Sequence, residues 1–278
     1  MKDILKKGEI KELLSDEGGG GWSKEAHLLI YGKEKYMLRR AQTLQRAKKY
    51  EELSKKLEKF GFLPKFLGRY GKDVIYEYIE GRDLRREETL KVIKQIGKIA
   101  GQINKVRAND SLDKKFEKQI NEALTGDFKD LNKKVKPLLS KEKVDEIIRL
   151  YFYLKRKSKP SIRLDLNDAS PSNFRLRKGK VYFVDIEAIK PRYKGYLIGK
   201  AFTKWFRTKN QQKAFLEGYN LVLSAGFIND YYLDFTYINY LVQEVNYTCR
   251  YGKKYKPKYK SRLKFLDEIL KKYRDELK

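Results

Sequence analysis

The chain has 278 residues, enough for one large domain or two lobes with a substantial buried core, and 13% of them are aromatic. A single cysteine, Cys249, excludes an intramolecular disulfide and offers no zinc spacing, and a single histidine, His27, argues against histidine-based catalysis and clustered histidine metal sites. The 65 Lys and Arg against 37 Asp and Glu leave a net charge of +28, too one-sided for a balanced ion-pair surface.

Such a field favours an anionic neighbour: a phosphorylated substrate, an anionic membrane surface or nucleic acid. A solvated, self-repelling surface is the alternative. No stretch has the apolar core of a signal peptide, and no run approaches the ~18 apolar residues of a membrane span. A cytoplasmic protein is expected, with peripheral attachment to a membrane left open.

Three strands open the chain, Glu9 to Leu14, Ala26 to Tyr31 and Tyr36 to Arg39. Between the first two lie consecutive glycines. Lacking side chains, Gly19, Gly20 and Gly21 would let backbone N–H groups approach phosphate oxygens. The spacing is not G-x-G-x-x-G, because counting from Gly19 the third glycine position is Lys24. A flexible hairpin turn is the plain alternative. The third strand ends in Arg39 and Arg40, which strand alternation sends to opposite faces.

Ala41 to Phe60 carries a helical pattern, with Leu44, Ala47, Leu53, Leu57 and Phe60 near one face and Gly61 as a stop. Two further strands, Phe66 to Tyr70 and Val74 to Tyr78, flank a Gly71-Lys72-Asp73 turn. Gly81 then lets the chain change direction. Beyond it the pattern is mainly helical. Glu88 to Val106 and Val144 to Leu154 carry broad apolar stripes that read as core, and the polar, Lys-rich 107–137 reads as a shorter helix with loops.

Residues 162–187, IRLDLNDASPSNFRLRKGKVYFVDIE, hold the most specific pattern in the chain. Asp168 is followed five residues later by Asn173, then by a hairpin over Phe174 to Val184, then by Asp185 at the end of an apolar strand, with Glu187 two residues on. Two acidic groups and an amide at this spacing are hard oxygen donors suited to a phosphate-bound divalent cation. An Asx-turn joining two strands is the alternative. Three or four helices are expected over 192–278, with breaks near Gly226 and Pro257. The aromatic stripe over 231–247 fits core packing or the wall of an acceptor pocket. Arg250 to Lys264 interleaves tyrosines with lysines, a pattern compatible with nucleic acid, anionic lipid or water.

At LNDASPSN and VDIE the chain resembles the aminoglycoside phosphotransferase and choline kinase family, small-molecule relatives of protein kinases, whose motifs read H-x-D-x-x-x-x-N and I-D-F-E. Leu166 stands where the family has His, and Ile186 where it has an aromatic. The resemblance implies an α+β, two-lobed protein kinase-like fold with a β-rich N-lobe over 1–80 and a larger helical C-lobe over 81–278. It implies ATP and Mg²⁺ as cofactors and transfer of the γ-phosphate to a hydroxyl of a small molecule.

By the same resemblance Asp168 accepts or orients the hydroxyl proton, and Asn173, Asp185 and Glu187 hold metal. Arg39 contacts the nucleotide phosphates, and Glu51 on the helix pairs with it. The glycine run covers the phosphates, and the Glu77 carbonyl and Ile79 N–H meet adenine. The charge disfavours a polycationic acceptor and favours a neutral or anionic sugar-like one, with no obligate protein partner inferred. A lipopolysaccharide-core sugar kinase or a protein kinase shares the motif order, although no A-P-E segment follows Asp185. A nucleic-acid- or membrane-binding pseudokinase is the reading from a different class.

Overall fold

A computed structural model describes residues 2–12, 26–85, 87–107, 141–168, 170–223, 228–251 and 256–277. Gly19, Gly20 and Gly21, most of 107–137, Gly226 and the side chains of 250–263 lie outside what is described. Contacts group the chain into two compact units. One comprises 1–99, 168–189 and 214–218; the other comprises 100–167, 190–213 and 219–278.

The first unit is built on an antiparallel sheet in the order β1-β2-β3-β5-β4. Its strands are β1 (Glu9–Glu12), β2 (Ala26–Tyr31), β3 (Glu34–Arg40), β4 (Phe66–Tyr70) and β5 (Asp73–Glu77). Their alternation buries Leu29, Leu38 and Ile75 against a short helix α1 (Lys2–Lys7), whose Ile4 and Leu5 pack on that cluster. Helix α2 (Leu44–Leu57) covers the sheet with Ala47, Tyr50, Ser54 and Leu57, spaced three and four residues apart along one stripe.

Thr43 caps α2 by accepting the Arg46 N–H, and Gly61, at φ 64°, closes the 3₁₀ turn that follows Leu57. Leu44, expected on the apolar face, is 45% exposed because it opens the helix, while Tyr50 takes the buried position. A smaller sheet in the order β6-β8-β9 joins β6 (Arg82–Asp83) to the hairpin β8 (Phe174–Arg177) and β9 (Lys180–Phe183). Gly81 enters it so tightly that a Cβ there would stand 2.4 Å from the Leu176 carbonyl oxygen, which restricts the position to glycine. Helix α3 (Leu90–Asn104) follows β6.

The second unit is helical. It contains α4 (Lys141–Ser158), α5 (Tyr196–Lys204), most of α6 (Lys209–Asn220), α7 (Asp230–Tyr251) and α8 (Lys256–Lys272), with a two-stranded ribbon of β7 (Ile162–Leu166) and β10 (Ile189–Tyr193). Helix α5 lies directly on α7 at Gly199, where a Cβ would meet the Thr236 carbonyl oxygen at 2.2 Å. The expected aromatic stripe is core over its described part: Tyr232, Phe235, Tyr237, Ile238, Tyr240 and Leu241 are all buried. Among the described residues no helix is long and apolar enough to cross a membrane.

Candidate active site

In the first unit, four elements bring their polar side chains to one place. Strand β3 supplies Arg39, only 1% exposed, while Arg40 points outward and pairs with Asp73 at 2.9 Å. The chain after β9 supplies Asp185, and a 3₁₀ turn over Ile186–Ala188 supplies Glu187. The strand stops at Phe183, and the Ala188 N–H closes on the Asp185 carbonyl at 3.0 Å. Glu187 therefore does not continue the strand face; the turn carries it toward α2.

The Arg39 guanidinium bridges both acids. Its Nη2 donates to Asp185 Oδ1 at 3.0 Å, and its Nη1 lies 3.3 Å from Glu187 Oε2 in an ion-pair contact. Nε is buried without a hydrogen-bond acceptor among the described residues, and the contact of Nη1 with Glu187 is an ion pair rather than a hydrogen bond. On the other side of Asp185, Asn173 approaches Oδ2 with its Nδ2 at 3.4 Å, and the same Nδ2 donates to the Asp168 carbonyl at 2.8 Å. Asn173 ends a 3₁₀ turn opened by Pro171, and its carbonyl accepts the Val184 N–H at 2.9 Å. The loop and the hairpin are thereby tied together, with the Asp168 side chain exposed.

Burial pushes the Asp185 carboxyl up to about 6, the Arg39 charge opposes the rise, and the Glu187 and Asp168 charges add to it. Crowded carboxylates held this way are a place where a divalent cation relieves repulsion. Among the described residues no three acidic, His or Cys side chains form a metal cage. Mg²⁺ takes one or two protein carboxylates and fills its octahedron with phosphate and water. The donor set at Asp185 and Asn173 fits that ion.

The other residues singled out in the sequence lie as follows. Glu51 accepts from Arg69 Nε at 2.6 Å and from Lys55 Nζ at 2.7 Å, so the acids beside Arg39 are Asp185 and Glu187 rather than a helix glutamate. Glu77 ends β5 with its side chain on Arg177 at 2.9 Å and its N–H on the Lys65 carbonyl. The Ile79 side chain is buried.

Arg46 and Tyr50 were not singled out, yet they complete the cluster. Arg46 Nη2 donates to Glu187 Oε2 at 2.9 Å and Arg46 Nε to the Tyr50 hydroxyl at 2.6 Å, while that hydroxyl donates to Glu187 Oε2 at 3.2 Å. Their i, i+4 spacing was the available signal.

The second unit holds a separate polar network on the strand that leads into the loop. Asp165 is fully buried in β7; its Oδ1 accepts the Leu166 N–H at 2.7 Å, its Oδ2 has no hydrogen-bond partner among the described residues, and the Tyr196 and Leu197 amides at the start of α5 favour its charged form. Burial raises this carboxyl to about 6 against the pull of those donors and Asn104. Asn104 is equally buried. Its Nδ2 donates to the Leu164 carbonyl at 2.8 Å, and its Oδ1 accepts from the Gly195 N–H and the Tyr219 hydroxyl.

Leu166, where a histidine was expected, sits at 0% exposure. Support for Asn167 comes instead from Arg192, whose Nε donates to its Oδ1 at 2.9 Å, and from Lys200, whose Nζ donates to its carbonyl at 3.1 Å.

An aspartate-asparagine loop, a carboxylate after a hairpin and a strand arginine on that carboxylate lie together in one cluster. The choline/ethanolamine kinase family matches residues 22–224, and the chain belongs to that family. Solved structures with the same fold include an ethanolamine kinase from Plasmodium vivax, at TM-score 0.66 and 16% identity over 96% of this chain and 82% of that one. A choline kinase from Streptococcus pneumoniae gives 0.61 and 14% over 98% and 96%. An aminoglycoside phosphotransferase from Alicyclobacillus acidocaldarius gives 0.61 and 12% over 100% and 95%. No curated protein matches the chain in sequence. The fold is the α+β, two-lobed protein kinase-like one, and the protein is a kinase that uses ATP and Mg²⁺ to phosphorylate a hydroxyl-bearing small molecule.

Proposed function

We propose that Asp168, Asn173, Asp185 and Arg39 carry the transfer, and that the acceptor is an anionic, sugar-like hydroxyl compound. The observation that carries the first part is the chain of contacts from Arg39 through Asp185 and Asn173 to the Asp168 carbonyl. Asp168 receives the hydroxyl proton and aligns its oxygen with the γ-phosphorus. Asp185 and the Asn173 amide oxygen would hold Mg²⁺, which would supply charge neutralisation at the phosphates. Arg39 contacts the nucleotide phosphates, which its forked geometry suits. The Glu77 carbonyl and Ile79 N–H receive adenine.

Support for an anionic acceptor comes from the second unit. Asn167 immediately precedes Asp168 in the chain, and the side chains donating to it are two cations, Arg192 and Lys200. On the same ribbon the Lys194 amine is pushed down to about 8, first by burial and then by the Arg163 charge. Like charges held in mutual repulsion favour a ligand of opposite sign. Choline is a cation, so such a setting suits it poorly, and the net charge of +28 points the same way.

The test is transfer of labelled γ-phosphate from ATP to a panel of sugar phosphates, sugar acids, neutral sugars, choline and ethanolamine, with Asp168→Ala as control. Label on a phosphorylated or carboxylated sugar, lost in the control, is the expected result. Transfer to choline or ethanolamine in preference to every anion on the panel would overturn the acceptor class. Transfer undiminished in Asp168→Ala would remove that residue from its role.

A further inference from the structure

Resting on the kinase reading above, we propose that Arg46, braced by Tyr50, reserves Glu187 for Arg39. The site then holds one protein-bound divalent cation, at Asp185 and Asn173, with the Arg39 guanidinium standing in for a second.

A single carboxylate oxygen, Glu187 Oε2, meets three donors: Arg46 Nη2 at 2.9 Å, the Tyr50 hydroxyl at 3.2 Å and Arg39 Nη1 at 3.3 Å. Both arginines also lie over the Tyr50 ring, at 5.7 Å and 5.9 Å from its centroid, so the aromatic face holds them as a pair. The positions are fixed locally. Arg46 lies in the capped first turn of α2 and also donates to Gln42 Oε1 at 3.2 Å, and the Tyr50 ring is 2% exposed.

A divalent cation brought to Glu187 would have to displace two guanidiniums, and one of them cannot leave. Arg39 is 1% exposed and is held between Asp185 and Glu187, so a cation brought to Glu187 would meet its charge at close range. Asp185 is in the opposite situation: its Oδ2 faces an uncharged amide, and Arg39 reaches it through the other oxygen. The strand cation therefore keeps an acidic partner, but the acid comes from the turn after Asp185, and the helix contributes a second cation to that acid. Arg46 acts through Glu187 and is a positioning residue.

Mn²⁺ is the probe, titrated in the presence of ADP and counted by electron paramagnetic resonance. The unmodified protein should bind one Mn²⁺ in the nucleotide complex, and Glu187→Gln should bind one with affinity within about twofold. Two ions in the unmodified protein, with one lost in Glu187→Gln, would overturn the proposal. Asp185→Asn should lose the ion; if it binds Mn²⁺·ADP as the unmodified chain does, the site reading beneath the proposal fails as well.

Steady-state kinetics supply the second arm. Arg46→Gln should raise KM for ATP roughly tenfold, as loss of a charge-assisted bond predicts, with kcat less affected. Arg46→Gln combined with Glu187→Gln should be no worse than Glu187→Gln alone. Additive losses would show that Arg46 acts independently of Glu187. Tyr50→Phe, which removes one hydroxyl and keeps the buried ring, should raise KM in the same direction and by less; an unchanged KM would remove Tyr50 from the brace.

Discussion

Two carboxylates in this protein, one in each compact unit, are driven by burial to the same proton affinity, near 6, and are stabilised by different means. Asp185 faces a guanidinium on one oxygen and an amide on the other, is 16% exposed, and feels two further acids. Asp165 is fully enclosed and is answered by Asn104 and by main-chain amides at the start of α5. A partly exposed charge met by side-chain groups can take a metal or a phosphate beside them. A charge met by fixed peptide dipoles has no partner to exchange, and it fixes a strand to a helix end. The first arrangement suits chemistry, and the second suits holding the chain that leads into Asn167.

The largest expected difference follows directly. Asp185→Asn keeps the shape and removes the charge, and phosphoryl transfer should fall by roughly 10²–10³-fold, the usual cost of losing a principal electrostatic group. Asp168→Asn should cost about 10²–10⁴-fold in kcat with KM for ATP little changed, the range for a general base. Asp165→Asn should reduce kcat far less, since that residue meets no reactant. Transfer assays on the three purified variants check this ordering. A loss at Asp165 as large as that at Asp185 would erase the distinction between the two carboxylates.

Stability against pH separates them next. The folded Asp165 carboxyl titrates near 6, above the ordinary 3.8, so the folded state keeps a proton that the unfolded chain has released. Its contribution to stability is therefore greatest below about pH 4, declines as the pH rises to about 6, and is level above that. For a fully buried group the span amounts to about 3 kcal/mol. Denaturant unfolding of the unmodified protein at pH 4.5 and pH 7.5 should show the protein more stable at the lower value on this account. In Asp165→Asn the difference should shrink by Asp165's share, and the rest, from Asp185, should persist. An unaltered pH dependence in that variant would mean the enclosed carboxylate titrates alike in both states.

Much of this arrangement was legible in the sequence, because local rules produce it. Strand alternation separated Arg39 from Arg40, and the D-x-x-x-x-N spacing followed by a hairpin and an aspartate drew Asp168, Asn173 and Asp185 together. What could not be read were contacts between residues far apart in the chain. Glu187 is 141 residues from Arg46 and 137 from Tyr50, and helical periodicity says which face of α2 Tyr50 occupies without saying what lies beyond it. Asp165 was hidden differently: in IRLDL the apolar residues alternate with Arg163 and Asp165, which is the pattern of a half-buried strand. Only the docking of α5 at its carboxylate encloses the second face.

The smallest effect is expected at the acid that sequence alone favoured as the partner of Arg39. Glu51 is joined to Arg69 and Lys55 near the surface, and those partners hold its carboxyl below the usual carboxylate range. Pairs of this kind are worth roughly 0–1 kcal/mol once water and salt screen them. Glu51→Gln should therefore change stability by no more than about that amount and leave KM for ATP unaltered. Glu187→Gln, which removes one of the two acids beside a buried arginine, should raise that KM. Denaturation and kinetics on the two variants side by side decide which acid serves the strand cation. A KM that rises with Glu51→Gln and stays fixed with Glu187→Gln would return the role to the helix and undo the Arg39–Glu187 pairing on which the one-metal proposal stands.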